Sequence, residues 1–137
     1  TRDGGWGYDV ESRAGTLVYM ARCDRQTLLL PQCETRGCLE HIEEIAALDG
    51  VDGIFVGPLD LSIALGCPME LDAPVMQEAL ARILAACRAA GKYTFIFAGD
   101  AKAAKGRFAE GFDSVTLGLD TMVYIDAYRT MVDDVRR

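Results

Sequence analysis

The chain has 137 residues, 50% of them hydrophobic and 26% charged, with a formal net charge of -7 and an isoelectric point near 4.6. This is the balance of one globular domain with its own core, and an acidic surplus without a Lys or Arg cluster leaves nucleic acid and anionic membranes no electrostatic footing. No apolar run approaches the roughly 20 residues that cross a bilayer and no basic-then-apolar leader opens the sequence, so a cytoplasmic protein whose ligands are small molecules or cations is expected.

Residues 1–26 hold Gly4-Gly5-Trp6-Gly7 and a mixed-charge stretch with no sustained period, which reads as loop with one short helix at 14–21. An apolar run at 27–33, Leu28-Leu29-Leu30-Pro31-Gln32-Cys33, reads as a strand that ends on Glu34. Over 35–48, Cys38, Ile42 and Ile45 recur at helical spacing while Glu40, Glu43 and Glu44 fall on other faces, predicting one amphipathic helix with Gly50 beyond its end. Ile54-Phe55-Val56 is a short buried strand stopped by Gly57-Pro58, and Asp60 follows in an otherwise uncharged loop to Gly66.

Asp72 before Pro74 supplies a capping residue and a first-turn proline. The helix they open carries Met76, Leu80, Ile83, Leu84 and Cys87 as its apolar stripe and ends at Gly91. Tyr93–Phe97 reads as a strand, Asp100 as the N-cap of a helix over 101–110, and Ser114–Gly118 as the last strand. From Asp120 a final helix puts Ile125, Tyr128, Val132 and Val135 on one side.

Four strand–helix units in succession predict an α/β fold with a parallel sheet covered by helices. Two architectures fit, a small doubly wound sheet or four consecutive units of a (β/α)8 barrel, which takes about 250 residues. In either, Glu34 and Asp60 lie just past strand ends, on the rim where ligands bind, with neighbouring strands about 4.8 Å apart. Two such carboxylates suit a hard divalent cation, or each caps a helix start; spacing leaves both readings open. Gly57-Pro58-Leu59 reads either as a backbone cradle for a substrate carboxylate or as a tight turn. His41, the single histidine, falls in mid-helix, away from the strand ends. The five cysteines are odd in number and lack C-x-x-C spacing, which favours neither disulfides nor zinc. No G-x-S-x-G, P-loop or G-x-G-x-x-G occurs.

The strings LLLPQCET at 28–35, EEIAALDGVDGIFVGPLDLSIALG at 43–66, AAGK at 89–92 and SVTLGLD at 114–120 resemble the C-terminal half of the metal-dependent, class II pyruvate aldolases of the HpcH/HpaI family, in the citrate lyase β-subunit-like group. The resemblance runs from about residue 27 to 125. It implies the half-barrel architecture for 27–137, with 1–26 as an N-terminal loop and short helix. It also implies a Mg²⁺ or Mn²⁺ cofactor and reversible aldol cleavage of a 4-hydroxy-2-oxo acid to pyruvate, or a similar 2-oxo acid, and an aldehyde. By matching positions, Glu34 and Asp60 are the implied metal ligands. Gly57, Pro58 and Leu59 form part of the pyruvate carboxylate pocket, and Gln32 accompanies Glu34.

The family's catalytic histidine and substrate-binding arginine come from its first strands and match no residue here, so no catalytic residue is assigned. A start at Thr1 rather than Met also hints at a trimmed or incomplete chain. Four parallel strands leave two edges and one face to be covered, by a missing N-terminal half, by a second copy in a homo-oligomer, or by rearrangement into an open sheet. A non-catalytic assembly module derived from such an aldolase is the alternative. A third possibility, a lyase acting on an acyl-CoA thioester, is disfavoured because the sequence shows no obvious basic patch for the CoA phosphates.

Overall fold

The computed structural model describes residues 15–137; the N-terminal stretch with Gly4-Gly5-Trp6-Gly7 and most of its expected loop lie outside the described residues. Helix α1 (Thr16–Gln26) is followed by four strands, β1 (Gln32–Cys33), β2 (Gly53–Val56), β3 (Tyr93–Ala98) and β4 (Ser114–Leu117). They form one sheet in the order β1-β2-β3-β4, parallel throughout. Helices α2 (Arg36–Glu40) and α3 (Ile42–Ala46) connect β1 to β2, while α4 (Pro58–Ala64) and α5 (Pro74–Ala90) connect β2 to β3. Helix α6 (Ala101–Glu110) connects β3 to β4, and α7 (Asp120–Arg136) ends the chain.

The alternation of side chains along the strands divides the sheet into two unlike faces. Cys33, Val56 and Ile96 stand in register on one face and are fully buried with Ile42, Met76, Leu80 and Ile83 of α3 and α5. On the other, Phe55, Phe95 and Phe97 are only partly buried. Helix α5 buries the stripe expected of it, and Gly91, at φ 66°, closes it in the left-handed conformation that glycine adopts without strain.

Several elements differ from the sequence expectation. The 27–33 strand shrinks to its last two residues: Pro31 has no N–H for a ladder, and the Leu29 N–H goes to the Asp52 carboxylate at 2.7 Å. The 35–48 helix is broken at His41, where φ and ψ are -109° and 23°. The Glu40 carbonyl there accepts from Arg82 Nη2 at 3.1 Å. Arg82 also clamps both oxygens of Glu43 at 2.8 and 2.7 Å. That clamp, chiefly through its hydrogen bonds, holds the Glu43 carboxyl down at about 2. A depressed carboxylate stabilises the fold above its ordinary value of 4.5 and loses that contribution as the pH falls toward 2.

Asp72 does not cap α5: the N-cap is Ala73, with no side-chain bond, and Pro74 alone presets the first turn. Asp100 does cap α6, accepting from the Ala103 N–H at 2.8 Å. Helix α1 runs past residue 21 to Gln26. The apolar side of α7 that the spacing laid out, Ile125, Tyr128, Val132 and Val135, is exposed, and neither α1 nor α7 buries a residue. Among the described residues no helix is long and apolar enough to cross a membrane.

Candidate active site

The site begins where β1 and β2 stop. Cys33 pairs with Val56, and the Gly57 N–H donates to the Cys33 carbonyl at 3.2 Å, so Glu34 leaves β1 level with Gly57. Gln32, one strand period earlier, lies on the same side of the sheet as Glu34, and its Nε2 donates to Glu34 Oε2 at 2.6 Å. That bond fixes one carboxylate oxygen; the other has no hydrogen-bond partner among the described residues. The pair leans over Gly57: a Cβ there would sit 2.9 Å from Gln32 Nε2, 3.0 Å from Glu34 Oε2 and 3.2 Å from Glu34 Cβ. Since Gly57 has an unremarkable φ of -90°, a contact rather than a backbone conformation calls for glycine.

The stretch expected to be a loop after Gly57 is the short helix α4, and Asp60 stands exposed in its first turn. Among the described residues the Asp60 carboxylate has no hydrogen-bond or ion-pair partner. The capping reading fails for Glu34, since Thr35 is the N-cap of α2, its hydroxyl accepting from the Cys38 N–H at 3.2 Å. The N-cap of α4 is Gly57, so Asp60 does not occupy the capping position either.

The Gly57–Leu59 cradle is narrower than its three residues imply. The Gly57 N–H is committed to Cys33, Pro58 has none, and Leu59 keeps a donor without an intrahelical acceptor. Arg36, two residues past Glu34, does not neutralise it; its Nη2 donates to the Ala64 carbonyl at 2.8 Å at the far end of α4. His41 is exposed at the α2–α3 junction, 3.4 Å from Glu44 Oε1, outside the rim as expected. Burial and then the neighbouring Cys38 push the Cys33 thiol up, and burial lifts Cys87 to about 11, so neither thiol is a nucleophile at neutral pH. Among the described residues no cluster of three or more His, Cys, Asp or Glu forms; the candidate donor set is two carboxylates.

Ser62 escaped the sequence reading. It is fully buried, donates to the Leu59 carbonyl at 2.6 Å and accepts from the Met69 N–H at 3.1 Å. A serine inside an uncharged stretch carries no signal of such a role.

The sequence pattern of the HpcH/HpaI aldolase/citrate lyase family matches residues 9–127. The chain belongs to that family. It is 39% identical to the 2-keto-3-deoxy-L-rhamnonate aldolase of Klebsiella pneumoniae and 38% identical to that of Salmonella paratyphi B, each over 109 residues. These matches take in 80% of this chain and 41% of either relative, so the chain spans about two-fifths of the length of those curated relatives. A crystal structure of an HpcH/HpaI aldolase/citrate lyase family protein from Burkholderia cenocepacia superposes with a TM-score of 0.76 at 34% identity, over 98% of this chain and 54% of that one. The HpcH/HpaI aldolase from Desulfitobacterium hafniense gives a TM-score of 0.77 at 20% identity, over 90% and 52%; at that identity the likeness is one of fold. The four βα units are thus part of a barrel of the HpcH/HpaI kind rather than a doubly wound sheet.

Proposed function

We propose that this HpcH/HpaI segment is the metal- and 2-oxo-acid-binding part of a carbon–carbon lyase, cleaving 4-hydroxy-2-oxo acids reversibly to pyruvate and an aldehyde. The carrying observation is the packed Gln32–Glu34–Gly57 contact at the strand ends, with Asp60 exposed in the first turn of the helix that Gly57 caps and without a partner among the described residues. Glu34 and Asp60 offer hard oxygen donors, the chemistry Mg²⁺ or Mn²⁺ takes, and neither is spent on a cap or a cation. A divalent ion held there supplies Lewis-acid polarisation of the 2-oxo group. Gln32 holds Glu34 in one orientation, Gly57 leaves the approach open, and the Leu59 N–H faces the substrate carboxylate. No described residue on the rim is placed to move the proton of the 4-hydroxyl, and that role is assigned to the rest of the barrel. Five free cysteines accord with the reducing cytoplasm.

Calorimetric titration with Mn²⁺ tests the reading. Glu34→Gln and Asp60→Asn should each weaken binding by on the order of 100-fold, and Gln32→Ala, which removes the orienting donor, by roughly 10-fold. Thermal midpoints should barely move. Metal affinity unchanged in both carboxylate variants would sink the enzyme reading in favour of the assembly module.

The partly bared aromatic face of the sheet and the apolar sides of α1 and α7 require a cover, which we assign to the remainder of the barrel or to a second copy in a homo-oligomer. Light scattering over a concentration series should show association of the 137-residue chain. A monodisperse monomer at all concentrations would count against both.

A further inference from the structure

Between the start of α4, the 65–73 loop, the end of β3 and α6 lies a cavity of about 280 Å³, walled by Leu59, Met69, Leu71, Phe97 and Arg107. Three observations bear on its use. Its wall includes Leu59, so it adjoins the segment assigned above to the substrate carboxylate. Its lining is apolar apart from Arg107, whose side chain is nearly buried and whose Nη1 is spent on Glu110 Oε2 at 2.7 Å; the cavity therefore has no unmet charge to recruit an anion.

The third observation is Met69. It has a φ of 66°, the only positive value outside glycine among the described residues, and its side chain is 73% exposed. A flexible, unbranched side chain is an unfavourable occupant of the left-handed region. It is kept there by the buried Ser62 hydroxyl, which takes the Met69 N–H and gives its proton to the Leu59 carbonyl. One hydroxyl thus ties the cavity wall to the substrate segment, and the strain has its place beside the site.

We propose that this cavity is the subsite for a short apolar group at C4 of the 4-hydroxy-2-oxo acid, the carbon that leaves with the aldehyde, with Met69 as the adaptable wall over it. The volume of about 280 Å³ is ample for a substituent of a few carbons. The inference rests on the proposed reading of the rim, and its test separates the two.

Calorimetry with Mn²⁺ present compares pyruvate with 4-methyl-2-oxopentanoate, which carries the branched C4 but no hydroxyl and so cannot be cleaved. The branched acid should bind on the order of 10-fold more tightly. Ala103→Phe, which fills the cavity from an exposed position on α6, should remove that advantage and leave pyruvate binding unchanged. Met69→Gly, which relieves the positive φ and cannot misfold the loop by strain, should reduce the advantage several-fold. Equal affinity for the two acids, or an advantage that survives Ala103→Phe, would overturn the subsite alone. Failure of pyruvate itself to bind would overturn the rim reading and the subsite with it.

Discussion

Gly57→Ala is expected to cost on the order of 100-fold in Mn²⁺ affinity while lowering stability by only about 1 kcal/mol. The backbone at Gly57, φ -90° and ψ 89°, lies in no region closed to alanine. What the new methyl meets are the Gln32 amide at 2.9 Å, the Glu34 carboxylate at 3.0 Å and the Glu34 Cβ at 3.2 Å. The first two are ends of flexible side chains at the rim and can swing aside without moving the core, while the third needs to give by only a few tenths of an ångström. Swinging aside is what destroys the site, since the 2.6 Å bond between them fixes where the carboxylate sits. In the proposed metal site, a carboxylate displaced by a few tenths of an ångström would no longer share an ion with Asp60. Parallel calorimetry and thermal melts check this: a variant that melts early and binds normally would show that the Gly57 contact is packing only.

This division between contact and conformation also marks where the sequence was legible. The four βα units, their order and the α5 stripe could be read because Met76, Leu80 and Ile83 recur with the helical period and Ile54-Phe55-Val56 ends at Gly-Pro. Glu34 and Asp60 could be placed past strand ends for the same reason. Local pattern could not show that Thr35 rather than Glu34 caps α2, or that Arg82, 39 residues away, takes both oxygens of Glu43 and draws off the Glu40 carbonyl where the helix breaks. Those are tertiary bonds, and periodicity is blind to them. Helix α4 is not legible because Gly57-Pro58 signals a turn, although Pro58 also presets a first helical turn. The amphipathic pattern of α7 was legible, but a pattern names an apolar side and does not say what covers it; here the side stays bare.

The largest stability loss is expected at Gly53, where alanine should cost about 3 kcal/mol, a substantial part of a domain's total. Gly53 opens β2 opposite Tyr93 of β3. A Cβ there would fall 2.5 Å from the Tyr93 carbonyl oxygen, 3.0 Å from its carbon and 3.0 Å from Leu30 Cδ2. Unlike the side-chain ends around Gly57, this oxygen belongs to a strand whose own N–H is bonded to the Asp52 carbonyl at 3.0 Å. It can retreat only if β3 shifts against β2, and that shift breaks the β2–β3 ladder at the centre of the sheet. Urea unfolding should show a lower midpoint with an unchanged slope. Mn²⁺ affinity measured far below that midpoint should fall less than in Gly57→Ala. Gly106→Ala in α6 supplies the opposite sign: its Cβ meets nothing within 4 Å, and alanine should add about 1 kcal/mol through helix propensity alone. If Gly53→Ala proved as benign as Gly106→Ala, the close approach of β2 to β3 would be wrong, and with it the register that sets Gly53 opposite Tyr93.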